Sequence, residues 1–152
     1  IPKESVPWPD RKVSNSRNHR QIMAAFSNYS RDQVDVFAPG TMIYSTYSDV
    51  LGENDSWAFL QGTSMASPVV TGVSAMVLSQ VPDLRYHAAD LREILIRSVR
   101  TFDHAESTID GKKVDLSTAS LSGGILDAYR ALCNASAWSK AHGGSVIQGC
   151  KS

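Results

Sequence analysis

The chemistry this chain could do is concentrated in Gln61–Pro68, QGTSMASP, where a serine stands among small residues just before a long apolar run. Ser64 at a helix N-terminus is either a cap, a role for which serine is favoured, or a nucleophile. The second role uses features that a cap does not need. Backbone N–H groups and the positive end of the helix dipole point to where an oxyanion would form. Gly62 lets a substrate backbone come close, and Ala66 keeps the space beside the hydroxyl clear. Pro68 is expected in the first helical turn, where its missing N–H costs nothing. The chemistry would be nucleophilic acyl transfer.

The elements that must position this serine follow from pattern. Residues 1–20, rich in proline and polar side chains, read as a lead-in loop. VDVF (34–37), the turn-like Ala38-Pro39-Gly40 and MIYSTY (42–47) predict two short strands, with 48–56 a loop and WAFLQ (57–61) a short apolar run. From Ser64 to Val81 small and apolar residues occupy every face, which predicts a buried helix stopped by Pro82. Leu91, Ile94, Leu95 and Val99 form one stripe of a second helix over Ala88–Arg100. A short third helix is predicted over Asp127–Leu132, introduced by Gly123-Gly124 and capped by Asp127. Residues 133–152 are small and polar and need join no core. A helix buried on all sides needs more cover than two or three strands supply. The chain therefore owns a core element without owning the whole core.

Composition narrows the field. The 152 residues carry 15 basic and 15 acidic side chains, which leaves no electrostatic basis for nucleic-acid binding. The run Val69–Val81 is too short and too polar to span a bilayer. With no initial Met and no signal segment, the sequence reads as a piece of something longer. Cys133 and Cys150 fit neither a zinc site nor a CxxC motif. They could close a loop in an oxidising compartment, or stay two thiols in the cytosol. Glycosylation sequons occur at Asn28, Asn54 and Asn134. Cysteines and sequons together point to the secretory pathway or the cell surface.

GTSMASP (62–68) resembles the nucleophile motif of the subtilisin-like serine proteases, the subtilases. AFSNYS (25–30) followed by VDVFAPG (34–40) resembles the family's S-x-x-G segment and the strand ending in A-P-G. IYSTY (43–47) resembles the next strand, and SGGILDAYRAL (122–132) the glycine-led closing helix. The resemblance covers about residues 24–132, with 1–23 a remnant of the upstream catalytic domain and 133–152 a polar tail holding a candidate disulfide loop, Cys133 to Cys150. It implies an α/β fold, the C-terminal portion of a parallel central sheet flanked by helices. It makes Ser64 the nucleophile, activated by a histidine that an aspartate orients, in the chain order Asp, His, Ser. Gly62 and Thr63 would shape the approach to the oxyanion hole, and the Ser64 N–H would be one donor. Leu60 would wall the leaving-group side. Met65 would lie beside the nucleophile, where sulfoxide formation would crowd it. Ser30, Val69 and Thr71 depart from residues common in the family without touching the nucleophile.

The family's Asp, His and oxyanion Asn precede the AFSNYS segment, and only 24 residues do so here. Asp10, Asn15, Asn18 and His19 lack the strand-end, helix-start or glycine contexts those roles need. His87, His104 and His142 follow Ser64 and read as surface residues. The resemblance therefore implies the nucleophile half of a serine endopeptidase, inactive alone. Losing the serine or the histidine costs a subtilisin about six orders of magnitude in kcat. The implied partners are a polypeptide substrate, the missing N-terminal half or a propeptide, and another copy. No cofactor is needed for the chemistry. Asp35 falls near an acidic position beside a weak cation site in some members, but one carboxylate is no calcium site. Asp32 and Asp35 therefore read as turn and surface residues, no metal ligand is assigned, and a structural calcium is left to the full domain. The alternative is a non-catalytic module that binds peptides or partners through an open sheet edge.

Overall fold

Residue size organises the central element more than polarity does. In a computed structural model that describes residues 22–48, 57–103 and 105–150, helix α1 runs Thr63–Gln80, within one residue at each end of the expected span. Its valines, Met76 and Leu78 turn inward, whereas Thr63, Ser64, Ser67, Pro68, Thr71, Gly72 and Ala75 form an exposed side of small residues. Val77 is the only residue of the helix that is fully buried. The burial expected on every face is thus absent among the described residues, none of which covers the small-residue side. Pro68 also sits differently from expectation. It is past the first turn, so it has no N–H to return to the carbonyl of Ser64 four residues back.

The far end of α1 carries the larger core. A 3-10 turn, Pro82–Tyr86, leads into α2, Ala88–Arg97. Helix α3 follows later, at Ala128–Ala141. Val77, Val81, Leu84, Ile94, Ala131 and Ala135 interlock there, with Leu91, Leu95 and Trp138 against them. Helix α2 stops short of the expected Arg100. Ser98 turns the chain, and the stripe's Val99 is instead buried on a two-residue strand, β3, Val99–Arg100.

Helix α3 is capped by Asp127 as predicted, the carboxylate accepting from the Arg130 N–H at 3.1 Å. It continues well past Leu132, and Ala135, Ser136 and Ser139 are buried. The segment read as a polar tail is therefore partly core. Its alanines and serines let α3 approach α1 and α2 closely, and small side chains disguise such a face in sequence. After α3 the chain folds back. The Cys133–Cys150 disulfide (Cα–Cα 5.1 Å) closes it. The Ile147 N–H donates to Ser136 Oγ at 2.8 Å, and the Tyr129 hydroxyl to the Gly149 carbonyl at 2.8 Å.

A second core, Met23, Ala105, Ile109, Leu116 and Ala119 with Phe37 and Phe102, lies under a hairpin that was not anticipated. Its strands, β4 (Glu106–Ile109) and β5 (Lys112–Asp115), pair antiparallel. Asp110 (φ 49°) and Gly111 (φ 75°) turn between them, the two positive φ values that an Asp-Gly hairpin turn supplies. The VDVF segment is expected as a strand, yet it enters sheet pairing only through one parallel bridge, Phe37↔Ile125. Around it the Phe37 N–H donates to the Gly124 carbonyl (3.1 Å) and the Leu126 N–H to the Phe37 carbonyl (2.8 Å). Strand β6, Ile125–Leu126, pairs antiparallel with β3. Strands β1 (Ile43–Thr46) and β2 (Trp57–Leu60) form an antiparallel ribbon that ends at the nucleophile motif. The whole is a partial α/β fold. Among the described residues its parallel pairing is confined to the Phe37 bridge.

Candidate active site

Strand β2 ends at Leu60, and two residues later the chain turns into α1. Gly62 is the N-cap, at φ 154° and ψ 165°, and no side chain caps this end. A side chain rarely adopts that φ, so glycine is required. Ser64 is the second residue of the helix, two positions too late to cap it. Its side chain is exposed and makes no hydrogen bond among the described residues. The serine is presented to solvent and given nothing structural to hold.

What holds the turn is Gly40. The Gly62 N–H donates to the Gly40 carbonyl at 2.8 Å, and the Met65 N–H to the Gly62 carbonyl at 3.0 Å. A Cβ on Gly40 would stand 2.7 Å from the Gly62 oxygen and 3.1 Å from Ala66 Cβ. The Ala38-Pro39-Gly40 bend is therefore a buttress pressed against the helix start. A Cβ on Gly62 would lie 3.6 Å from Met65 Sδ, so the thioether lies along the same turn. Leu60 is half-buried on the ribbon face it shares with Ile43. A cavity of about 420 Å³ lies between residues 33–41 and the first turns of α1, with Phe26, Phe37, Gly62, Thr63 and Ala66 in its wall. Ser64 itself faces the open small-residue side with Thr63, Ser67 and Pro68.

The histidines are elsewhere. Helix α1 has 18 residues, a length of roughly 27 Å at 1.5 Å per residue, and Ser64 is at one end of it. His87 follows the 3-10 turn at the other end. His142 stacks on Trp138 at 4.1 Å, and His87 lies 5.2 Å from the same ring. That ring packs on the core around Val77 and Val81. Asp10, Asn15, Asn18, His19 and His104 lie outside the described residues. No histidine among the described residues is brought to Ser64.

The remaining candidates are placed as follows. Asp35 forms an ion pair with Arg92, whose Nε donates at 3.3 Å. Ser30, where the family favours glycine, accepts from the Asp32 and Gln33 N–H groups at 3.3 and 3.1 Å and so makes the turn by hydrogen bonding. Among the described residues no three His, Cys, Asp or Glu side chains cluster as metal ligands, and no helix is long and apolar enough to cross a membrane. Asn28 is exposed in a loop. Asn134 lies on α3, its amide donating to Ser98 Oγ at 2.8 Å, and Asn54 is outside the described residues. The Arg130 backbone N–H holds the Asp127 carboxyl below its ordinary range; burial opposes it, and the hydrogen bond and charge of Arg100 add to the lowering. Sequence reasoning missed the buttress role of Gly40. The A-P-G turn was visible, but its contact with Gly62 spans a distance that no local pattern encodes.

Comparison with known proteins identifies the family. Residues 12–124 match the sequence model of the subtilase family, peptidase S8, starting further upstream than the motifs alone suggest. The subtilisin-like protease 2 of Plasmodium falciparum is 35% identical over 139 residues, 86% of this chain and 10% of that protein. Cerevisin of Saccharomyces cerevisiae is 52% identical over 59 residues, 39% of this chain and 9% of its own length. Subtilisin DY of Bacillus licheniformis is 43% identical over 61 residues, 40% of this chain and 20% of that protein. The chain thus spans a fifth or less of each of these relatives. With the family match covering most of its length and the motif residues gathered at one helix start, the chain belongs to the subtilase family.

Proposed function

We propose that this chain supplies the nucleophile half of a serine endopeptidase. Ser64 attacks the peptide carbonyl and carries the acyl group, and its N–H at the start of α1 donates to the developing oxyanion. The observation that carries this reading is the unpartnered, exposed Ser64 hydroxyl on a helix start that Gly40 and Gly62 fix in place. The aspartate, histidine and oxyanion asparagine come from an N-terminal half that docks on the open side of α1, so the chain alone does not hydrolyse peptides. The roughly 27 Å between Ser64 and the histidine-bearing end of α1 supports that inactivity. A structural calcium of the assembled domain takes its ligands from other residues, since Arg92 already engages Asp35. The disulfide supports folding in an oxidising compartment, and the exposed loop position of Asn28 supports a glycan on that sequon there.

The test is labelling by a fluorophosphonate probe near pH 8, read by intact mass, with Ser64→Ala as control. The chain alone forms no adduct, and labelling appears when the N-terminal half is added. A stoichiometric adduct on the isolated chain, lost in Ser64→Ala, would mean that a base lies within the fragment and would overturn the half-site reading. No labelling with both halves folded together would overturn the nucleophile assignment.

A further inference from the structure

The β1–β2 ribbon has two unlike faces. Ile43 and Leu60 point inward, while Tyr44, Trp57 and Phe59 share the outward face. Tyr44 stacks on Trp57 at 5.5 Å and meets Phe59 at 4.7 Å. The rings cover one another and little else, with Tyr44 56%, Trp57 53% and Phe59 41% exposed. A contiguous aromatic patch of this kind on a soluble protein marks a contact surface.

Charge identifies what the patch takes. Aromatic faces are negative and attract cations. From Thr41 to Pro68 the sequence contains no lysine or arginine, and its three carboxylates, Asp49, Glu53 and Asp55, fall in the segment joining β1 to β2, outside the described residues. Elsewhere in the chain Arg85 lies over the Tyr86 ring at 4.6 Å. Among the described residues no cation lies over the ribbon rings. Position adds the second constraint. Phe59 is five residues from Ser64, so the two Cα atoms are at most roughly 18 Å apart. A single extended polypeptide can reach both.

We propose that this aromatic face is an exosite for extended polypeptide segments carrying arginine or lysine. It holds them beside the nucleophile without being part of the bond-breaking machinery. The substrate role rests on the endopeptidase reading above, but the binding itself does not. It is therefore tested by binding alone. The probe is a fluorescein-labelled Gly/Ser peptide carrying arginines, compared by anisotropy with the same peptide bearing glutamine or glutamate in their place, on the full 152-residue chain.

The arginine peptide binds about tenfold tighter than the glutamine peptide. Tyr44→Ser and Trp57→Ser each weaken it about three- to fivefold, and Trp57→Phe recovers most of the loss. Tyr86→Ser, an exposed aromatic off the ribbon, leaves binding unchanged. Equal binding of arginine and glutamine peptides overturns the proposal, as does indifference to both ribbon substitutions. Sedimentation of the unlabelled chain provides the remaining check. Self-association abolished by Trp57→Ser would assign the face to a second copy and overturn the exosite. Failure here leaves Ser64 labelling unaffected, so the two readings fail separately.

Discussion

A single methyl group at Gly40 tests how the nucleophile is held. The added Cβ would stand 2.7 Å from the Gly62 carbonyl oxygen and 3.1 Å from Ala66 Cβ, where ordinary contact begins at 3.4 Å. Neither neighbour has a rotamer to move, so the bend and the helix start must separate by about 0.7 Å. Overpacking of this kind costs roughly 1–3 kcal/mol. The 2.8 Å bond from the Gly62 N–H, worth about 1 kcal/mol, is lost or weakened with it. In urea, Gly40→Ala should lower the unfolding midpoint by about 1 M. At the site, misplacement by about 1 Å costs on the order of 10²-fold. Fluorophosphonate labelling of Ser64, with the N-terminal half present, should therefore slow about 10- to 100-fold. A variant with the wild-type midpoint and the wild-type labelling rate would show that Gly40 does not hold Gly62, and the buttress would have to be abandoned.

Other perturbations separate the remaining elements. Gly72, on the open side of α1, has nothing within 4 Å of an added Cβ. Gly72→Ala should thus stabilise the isolated chain by about 0.5–1 kcal/mol, and a loss in urea would place a neighbour there. Asp127→Ala removes the α3 cap and should cost about 1 kcal/mol at pH 7. Because the folded carboxyl is held below its ordinary range, its contribution is present above that range and is lost as the pH falls through the folded value. The Ala penalty should shrink in acid, and Asp127→Asn should restore most of the cap. An Ala penalty independent of pH would refute the charge contribution. Replacing both cysteines by serine opens a loop of sequence separation 17 and should cost about 3 kcal/mol by loop entropy. A small loss, with Trp138 fluorescence unshifted, would mean that Ile147 and its hydrogen bonds hold the segment unaided.

The parts of this molecule that were legible in sequence are those set by local chemistry. Asp127 announces its helix because a short acidic side chain satisfies a first-turn N–H. The α2 stripe is visible because period and burial coincide. Pro82 stops α1 for steric reasons that no tertiary context changes. The GTSMASP motif is likewise local, and it carries the nucleophile assignment. The misreadings have non-local causes. Helix α1 looks buried all round because the side that no described residue covers is as small and uncharged as a core. The continuation of α3 was hidden by Ala135, Ser136 and Ser139, which pack tightly because they are small yet read as polar linker. VDVF has strand composition, but its hydrogen bonds go mainly to residues 121–126, 87 to 89 positions away. The β4–β5 hairpin is signalled in sequence only by Asp110-Gly111, because its short strands, ESTI and KKVD, are mostly polar and form no apolar run.

The disulfide has a consequence that concerns covalent continuity. Cys133 and Cys150 close a ring that contains the exposed residues 140–146. A peptide bond cut inside that ring releases no fragment. The molecule gains one water in mass, keeps all its residues, and runs on a non-reducing gel as a single species. Only a reductant then frees the C-terminal piece. Damage at this end is therefore stored silently for as long as the surroundings stay oxidising, and it becomes visible in one step when they do not.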